Sequence, residues 1–146
     1  MTILYIALFL GALLGMEGVA YVTHKYVMHG PLWVLHRSHH RPRESAIFEA
    51  NDLFGFLFAA PSIVLIYFGV RDQPALLALG LGMTAYGFFY FVFHDVIVHR
   101  RVSVPYRPAS AYMRRLVKAH LVHHKTTVKD GASSFGFLWA RRSDAS

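Results

Sequence analysis

Residues 53–93 read LFGFLFAAPSIVLIYFGV, then RDQ, then PALLALGLGMTAYGFFYFVF, and this stretch decides the fold. Apart from Arg71 and Asp72, it carries no charged side chain. Each apolar run is close to the ~20 residues that a helix needs to cross the hydrocarbon core of a bilayer. The stretch therefore predicts a transmembrane helical hairpin with its turn at residues 71–74. Pro61 predicts a kink that neighbouring helices make tolerable.

A third apolar run precedes the hairpin. Residues 1–23 (MTILYIALFLGALLGMEGVAYVT) carry one charge, Glu17, and predict a further span. A cleaved signal peptide is the alternative, but no basic segment precedes the run. Hydrophobic residues make up 55% of the chain, charged residues 16%, and the mean hydropathy is +0.37. These values exclude disorder and disfavour a soluble domain. We therefore expect residues 1–146 to form one all-α integral membrane domain with about three transmembrane helices, a fourth being left open.

The charges predict an orientation. The net charge is +7, and all of the 15 basic residues except Arg71 lie in residues 25–43 or 100–142. The positive-inside rule places those segments in the cytoplasm, beside anionic lipid headgroups, and the amino terminus and the 71–74 turn outside. The expected location is the inner (cytoplasmic) membrane. Nucleic-acid binding is disfavoured, because the basic residues are scattered between spans and form no reader motif.

Ten histidines fall in four short boxes, HKYVMH (24–29), HRSHH (36–40), HDVIVH (94–99) and HLVHH (120–124). The spacing H-x-x-x-x-H followed by H-x-x-H-H therefore occurs twice. Positions i, i+3 and i+4 share one face of a helix. Positions i and i+5 of an α-helix are ~140° apart. We therefore expect each H-x-x-x-x-H pair to flank a site from two levels, with one ring a candidate for an outer position.

The number of histidines predicts two metal ions. Imidazole suits Zn, Cu, Fe and Ni, and ten nitrogens exceed the ~4–6 ligands of one such ion. No cysteine is present, which excludes a zinc-thiolate site and a catalytic thiol. No Glu-x-x-His pair of a carboxylate-bridged di-iron bundle occurs. All four boxes lie at the predicted cytoplasmic ends of the first and third spans or in the segments that follow, so the expected site is cytoplasmic, and this clustering beyond one membrane face disfavours haem. The predicted ligands are His24, His29, His36, His39, His40, His94, His99, His120, His123 and His124.

Four further residues are candidates to hold the ligands in place. Glu17 lies seven residues before the first histidine, and Asp95 lies four residues before the last histidine of its box. A carboxylate within a span is costly and usually functional, and either one is suited to accept the free N–H of a ligating imidazole. Asn51 and Asp52 open the second span, where a helix cap is the alternative to a role at the metal site.

The sequence motifs around and between the histidines resemble those of a known family. They are similar to the bacterial β-carotene hydroxylases, which belong to the fatty-acid hydroxylase superfamily of membrane non-haem di-iron enzymes. The resemblance runs from Met16 to Trp139. It rests on GMEGVA, HKYVMHGPLW, HRSHHRPRESAIFEANDLF, FFYFVFHDVIVHRR, KAHLVHH and SFGFLWA.

The resemblance implies a specific activity. Members of this family hold two iron ions and use O2, with electrons from ferredoxin and its reductase, to hydroxylate carbon 3 of a β-ionone ring. They convert β-carotene through β-cryptoxanthin to zeaxanthin, and some accept ketolated rings on the way to astaxanthin. A fatty-acid or sterol hydroxylase, or a desaturase, of the same superfamily is the alternative. A non-enzymatic membrane metal-binding protein is a more distant one.

Two surfaces have a functional and a structural interpretation each. An aromatic set is a candidate lining for the ring pocket, with plain helix packing as the stronger alternative: Phe88, Phe89, Tyr90 and Phe93. A basic set beside the fourth box is suited to steer an acidic ferredoxin or to contact headgroups: Arg114, Arg115 and Lys118.

Overall fold

The computed structural model describes residues 1–41 and 48–145. All regular secondary structure in these residues is helical. Two of the helices continue as π-helical segments, Thr23–Met28 after α1 and Phe91–Val98 after α4, and a 3₁₀ turn spans Arg142–Ala145. The α-helices are α1 (Thr2–Val22), α2 (Trp33–His36), α3 (Asp52–Gly69), α4 (Pro74–Tyr90) and α5 (Ala111–His123).

Three helices are long and apolar enough to cross a membrane, which confirms the three predicted spans. They cover Thr2–Met28, Asp52–Gly69 and Pro74–Val98, with mean hydropathies of 2.0, 1.7 and 1.8. α5 has 13 residues and is too short to span a bilayer. Within the described residues there is thus no fourth span. α3 continues unbroken through Pro61, and the kink there stays a prediction.

α4 lies between the other two spans, packing against α1 and against α3. Glycines make both approaches close. A Cβ at Gly82 would come within 2.4 Å of the Phe9 carbonyl oxygen on α1. A Cβ at Gly80 would come within 3.0 Å of the Ser62 carbonyl oxygen on α3. Small residues let membrane helices gain contact in this way, because lipid supplies no hydrophobic force between helices.

A buried core joins the carboxyl-terminal parts of the first and third spans to α5 and the segment after it. Ser110 caps α5, its hydroxyl accepting a hydrogen bond from the Met113 N–H at 3.1 Å. α5 is polar on one side and buries Leu116 and Ala119 on the other. His120 and His123 share that buried side, so the packing of α5 brings the fourth histidine box to the ends of the spans.

Candidate metal centre

The ten histidines come together in two groups of five, within each of which one nitrogen per ring lies within 4.8 Å of the others. All ten rings lie at one end of the bundle, where α1 and α4 continue as π-helical segments. The first histidine site consists of His24, His29, His36, His40 and His123. The second histidine site consists of His39, His94, His99, His120 and His124.

The division between the two sites follows a rule. Each H-x-x-x-x-H box gives both of its histidines to one site. Each H-x-x-H-H box gives its first and last histidines, which are four residues apart, to one site and its middle histidine to the other. Thus His39 belongs to the second site although His36 and His40 belong to the first, and His123 belongs to the first site although His120 and His124 belong to the second. Because of these two middle histidines, each H-x-x-H-H box contributes to both sites.

The π-helical segments explain how residues five apart share a site. The His29 N–H donates to the His24 carbonyl at 3.0 Å, and the His99 N–H donates to the His94 carbonyl at 2.9 Å. A turn closed over five residues places both rings on one side of the helix, with centroids 5.3 Å apart in the first pair and 4.5 Å in the second. The predicted α-helical separation of ~140° is therefore wrong. π-bulges of this kind occur frequently at functional sites.

The Nε2 atoms point inward and approach one another. The contacts of the first site are His24 to His36 at 3.1 Å, His29 to His123 at 3.1 Å and His36 to His40 at 3.2 Å. Those of the second are His39 to His94 at 2.8 Å, His99 to His120 at 3.2 Å and His120 to His124 at 2.9 Å.

Four of the five Nδ1 atoms of the first site point outward to backbone carbonyls of a single segment, residues 126–135. The contacts are His24 to Phe135 at 3.0 Å, His29 to Lys129 at 2.9 Å, His40 to Thr126 at 2.7 Å and His123 to Ser133 at 2.6 Å. A carbonyl oxygen can only accept, so Nδ1 carries the proton and Nε2 of the neutral ring carries a lone pair.

The pair His29 and His123 tests whether the rings fit a metal ion. Both Nδ1 atoms donate to carbonyls, so two lone pairs face each other across 3.1 Å with no proton between them. Such an arrangement is repulsive unless a cation accepts both lone pairs. Inward lone pairs on Nε2, with outward N–H groups held by oxygen, are the arrangement of metal-ligating histidines. The donor set therefore fits a transition-metal ion.

Burial keeps these rings in the form that binds metal. Outside the spans, burial lowers the pKa of His36 to about 3, with smaller contributions from neighbouring imidazoles. Burial likewise lowers the pKa of His123 to about 3 and that of His40 to about 4. These rings are neutral at pH 7, and a neutral imidazole is the metal ligand.

Asn51 contacts a predicted ligand, and Asp95 lies close to one. Asn51 Oδ1 accepts from His36 Nδ1 at 2.6 Å. Asp95 Oδ1 lies 3.5 Å from His94 Nδ1, an ion-pair distance rather than a hydrogen bond. The structure thus places Asp95 beside the first histidine of its box.

The predicted helix cap at Asn51 and Asp52 is wrong, since α3 begins without a side-chain cap. The Asp52 carboxylate instead accepts from the Glu49 N–H at 3.0 Å, on the residue three positions earlier, and from Arg101 Nη1 at 2.7 Å. Arg101 also contacts Glu49, whose Oε2 accepts from His39 Nδ1 at 3.3 Å. Among the described residues, Asp52 is therefore linked to the histidines through Arg101, which contacts both Glu49 and Asp95.

Glu17 does not make the predicted contact with a histidine N–H. Its Oε1 accepts from the Phe137 and Leu138 N–H groups at 2.9 Å each, and its Oε2 accepts from the Tyr86 hydroxyl at 2.9 Å. Seven residues of helix separate Glu17 from His24, a rise of ~10 Å that takes the carboxylate out of reach of the ring. Glu17 instead fixes the segment that carries the carbonyls of the first site.

Sequence reasoning missed Glu49, Arg101 and the carbonyls of residues 126–135. A backbone carbonyl has no side-chain signature, so no pattern could indicate it. Glu49 lies in FEANDLF and Arg101 ends FFYFVFHDVIVHRR, two of the family motifs. Charge alone did not distinguish them from surface residues.

A cavity of about 430 Å³ opens among α1, α3 and α4, beside the histidines. Two of the four aromatic candidates, Phe88 and Tyr90, line it, whereas Phe89 is half exposed elsewhere and Phe93 is buried in the core. The Tyr90 ring stacks on the His94 ring with centroids 4.6 Å apart, so the cavity ends at the second histidine site. Apart from Asp95, its walls are mostly apolar, including Met16, Ala20, Phe54, Phe58 and Met83.

The predicted basic set divides on α5. Arg114 and Lys118 are exposed, whereas Arg115 is partly buried with its guanidinium 5.7 Å from the Tyr112 ring centroid.

Comparison with known proteins agrees with the geometry. Residues 9–142 match the family described as fatty acid hydroxylase. The chain belongs to this family. It is 50% identical to the β-carotene hydroxylase of Pantoea ananas over 127 residues, covering 87% of this chain and 72% of the relative. It is 44% identical to the β-carotene hydroxylase of Pseudescherichia vulneris over 131 residues, covering 90% and 74%.

The likeness extends to plants. The chain is 40% identical to a chloroplastic β-carotene 3-hydroxylase of Arabidopsis thaliana, over 84% of this chain and 42% of the relative. No solved structure gives a significant match.

Proposed function

We propose that this hydroxylase is a β-carotene 3-hydroxylase. It converts β-carotene through β-cryptoxanthin to zeaxanthin, with ketolated rings as further substrates. Each turnover places one atom of O2 in a ring C–H bond and releases the other as water, with two electrons from the donor and two protons. The observation that carries the proposal is the pair of five-histidine sites at the end of an apolar cavity between membrane spans.

The ten histidines are proposed to hold two non-haem iron ions, five rings to each ion. When bound, the iron pair supplies the oxidising power that an unactivated C–H bond requires. The protein's own part is orientation and exclusion of water. The carbonyls of residues 126–135 hold four imidazoles with their lone pairs inward. The Phe137 ring stacks 5.5 Å from the His24 ring and covers that side of the first site.

The cavity is proposed to receive one ring of the substrate. Its volume of about 430 Å³ lies in the usual range of ~300–1,000 Å³ for small-molecule sites. It is large enough for a cyclic end group but not for a whole carotenoid, so the polyene remains in the bilayer. The two rings of one carotenoid are therefore hydroxylated in separate binding events.

Orientation and partners complete the proposal. We place the histidine sites at the cytoplasmic face of the inner membrane, because the basic segments lie at that end of the spans. A soluble ferredoxin, reduced by its reductase, then meets the same face. The exposed Arg114 and Lys118 are suited to attract its acidic surface. Nucleic acid has no part in this function.

The test uses membranes that contain the full chain, supplied with β-carotene, ferrous iron and a ferredoxin system. We expect O2-dependent β-cryptoxanthin and zeaxanthin by chromatography. Gly87→Phe fills the cavity, since a Cβ at Gly87 meets nothing within 4 Å, and it should lower the yield strongly. Gly18→Phe is the matched control, because Gly18 is equally open but lies outside the cavity lining. Hydroxylated fatty acid or sterol, or no O2-dependent product, would contradict the proposal.

A further inference from the structure

The two histidine sites differ in the groups that hold their outer nitrogens. In the first site, four Nδ1 atoms donate to backbone carbonyls, and the fifth donates to the Asn51 side-chain amide oxygen. All five of these acceptors are uncharged. Asp130 affects His29 only from an exposed position on the surface.

Carboxylates flank the second site instead. Glu49 Oε2 accepts from His39 Nδ1 at 3.3 Å, and Asp95 Oδ1 lies 3.5 Å from His94 Nδ1. His39 and His94 are themselves in contact through their Nε2 atoms at 2.8 Å. His39 and His94 of the second site therefore each have a carboxylate near the Nδ1 atom, on the side of the ring away from the predicted metal ion.

Arg101 holds both carboxylates. Its guanidinium contacts Glu49, lies 3.1 Å from Asp95 and 2.7 Å from Asp52. The Arg101 side chain is only 15% exposed, so this is a built cluster rather than a chance surface pair. Three carboxylates and one guanidinium give the cluster a net charge of −2, so the arginine fixes the carboxylates without neutralising them.

We propose that the two sites are unequal and that the second histidine site binds its metal ion more tightly, because Glu49 and Asp95 act on His39 and His94. A carboxylate that accepts the outer N–H of a ligating histidine fixes the ring and raises its basicity, and its charge makes that hydrogen bond stronger than one to a carbonyl. Glu49 does this for His39, whereas Asp95, at 3.5 Å, acts on His94 through its charge. The net negative charge of the cluster also favours an added dication. Glu49, Asp95 and Arg101 are thus positioning residues for one ion of the pair. This inference rests on the proposed two-ion site.

The two sites should therefore fill in order. With limiting metal, a chain holds one ion, in the second histidine site. The first histidine site fills only as the metal concentration rises.

The test is a metal titration of the detergent-solubilised full chain, stripped with a chelator and followed by the absorption spectrum of added Co²⁺. We expect two binding steps whose affinities differ by about tenfold or more. Glu49→Gln should weaken the tighter step by ~10–100-fold and leave the weaker step unchanged. His40→Ala, which alters the first site, should weaken or remove only the weaker step.

Two further variants keep the test decisive. Asp95→Asn should reproduce Glu49→Gln, and it replaces that variant if Glu49→Gln does not fold. Asn51→Asp gives His36 the carboxylate that the first site lacks and should tighten the weaker step.

The outcomes separate this inference from the one on which it rests. Two equal steps, or equal weakening of both steps by Glu49→Gln and Asp95→Asn, would overturn the inequality while leaving two ions in place. Binding of a single ion by the wild-type chain would instead overturn the two-ion site itself.

Discussion

Replacement of Glu17 by Leu removes the acceptor that holds the carbonyl-bearing segment. The backbone N–H groups of Phe137 and Leu138 each donate to Glu17 Oε1 at 2.9 Å. A buried donor left unpaired costs about 1–3 kcal/mol, so the two together cost roughly 2–6 kcal/mol. The free energy of unfolding should fall by that order. The Phe135 carbonyl, two residues before Phe137, then loses its fixed position against His24 Nδ1.

The effect on metal should be selective. The four histidine rings that donate to carbonyls of residues 126–135 all belong to the first histidine site, so Glu17→Leu should reduce the bound metal from two ions per chain toward one. Glu17→Gln is the matched control. Its amide oxygen still accepts from both N–H groups, and the loss of charge costs only about 1–2 kcal/mol. It should keep both ions.

The assay is elemental analysis of the desalted protein together with thermal unfolding in detergent. Retention of two ions and of the wild-type midpoint in Glu17→Leu would refute the proposed role of Glu17. Equal loss of both ions would do the same, because it would indicate general collapse rather than loss of the carbonyl segment.

Three further predictions concern the rest of the molecule. Replacing any one of the ten histidines by Ala should abolish nearly all zeaxanthin formation in a β-carotene-producing host, and double variants should be no worse than single ones. Lys25→Ala, the control, should stay active. Several active single variants at normal protein level would contradict the ten-ligand assignment. Gly82→Leu should destabilise the α1–α4 contact by about 1–3 kcal/mol or more in denaturant titration, whereas Gly18→Leu, with open space around its Cβ, should not. Tags at the amino terminus and in the 71–74 turn should report outside and a carboxyl-terminal tag inside, and a carboxyl terminus on the outer surface would reverse the proposed orientation.

Much of the candidate site follows from local pattern. The three spans are set by the length of the apolar runs, which no packing partner alters. The histidine boxes lie at the ends of the first and third spans and shortly after, so one shared cluster is predictable from chain distance alone. The expectation of two ions needs only the number of imidazoles.

The assignment of rings to sites required the tertiary structure. α-helical geometry separates His24 from His29, and only the π-helical turn, a backbone choice without a residue signature here, brings them together. His39 and His123 each join the site opposite to that of their box neighbours, an assignment that appears only when the boxes are packed together.

By itself, the sequence determined a three-span membrane protein with ten histidines in four boxes, because these features depend on residue type and spacing along one chain. The tertiary structure decided the five-and-five division, the role of Glu17 and the contrast between carbonyl and carboxylate partners. Those features join residues as much as 121 positions apart, as Glu17 and Leu138 show. They depend on backbone atoms and on charges whose partners are known only once the chain has folded.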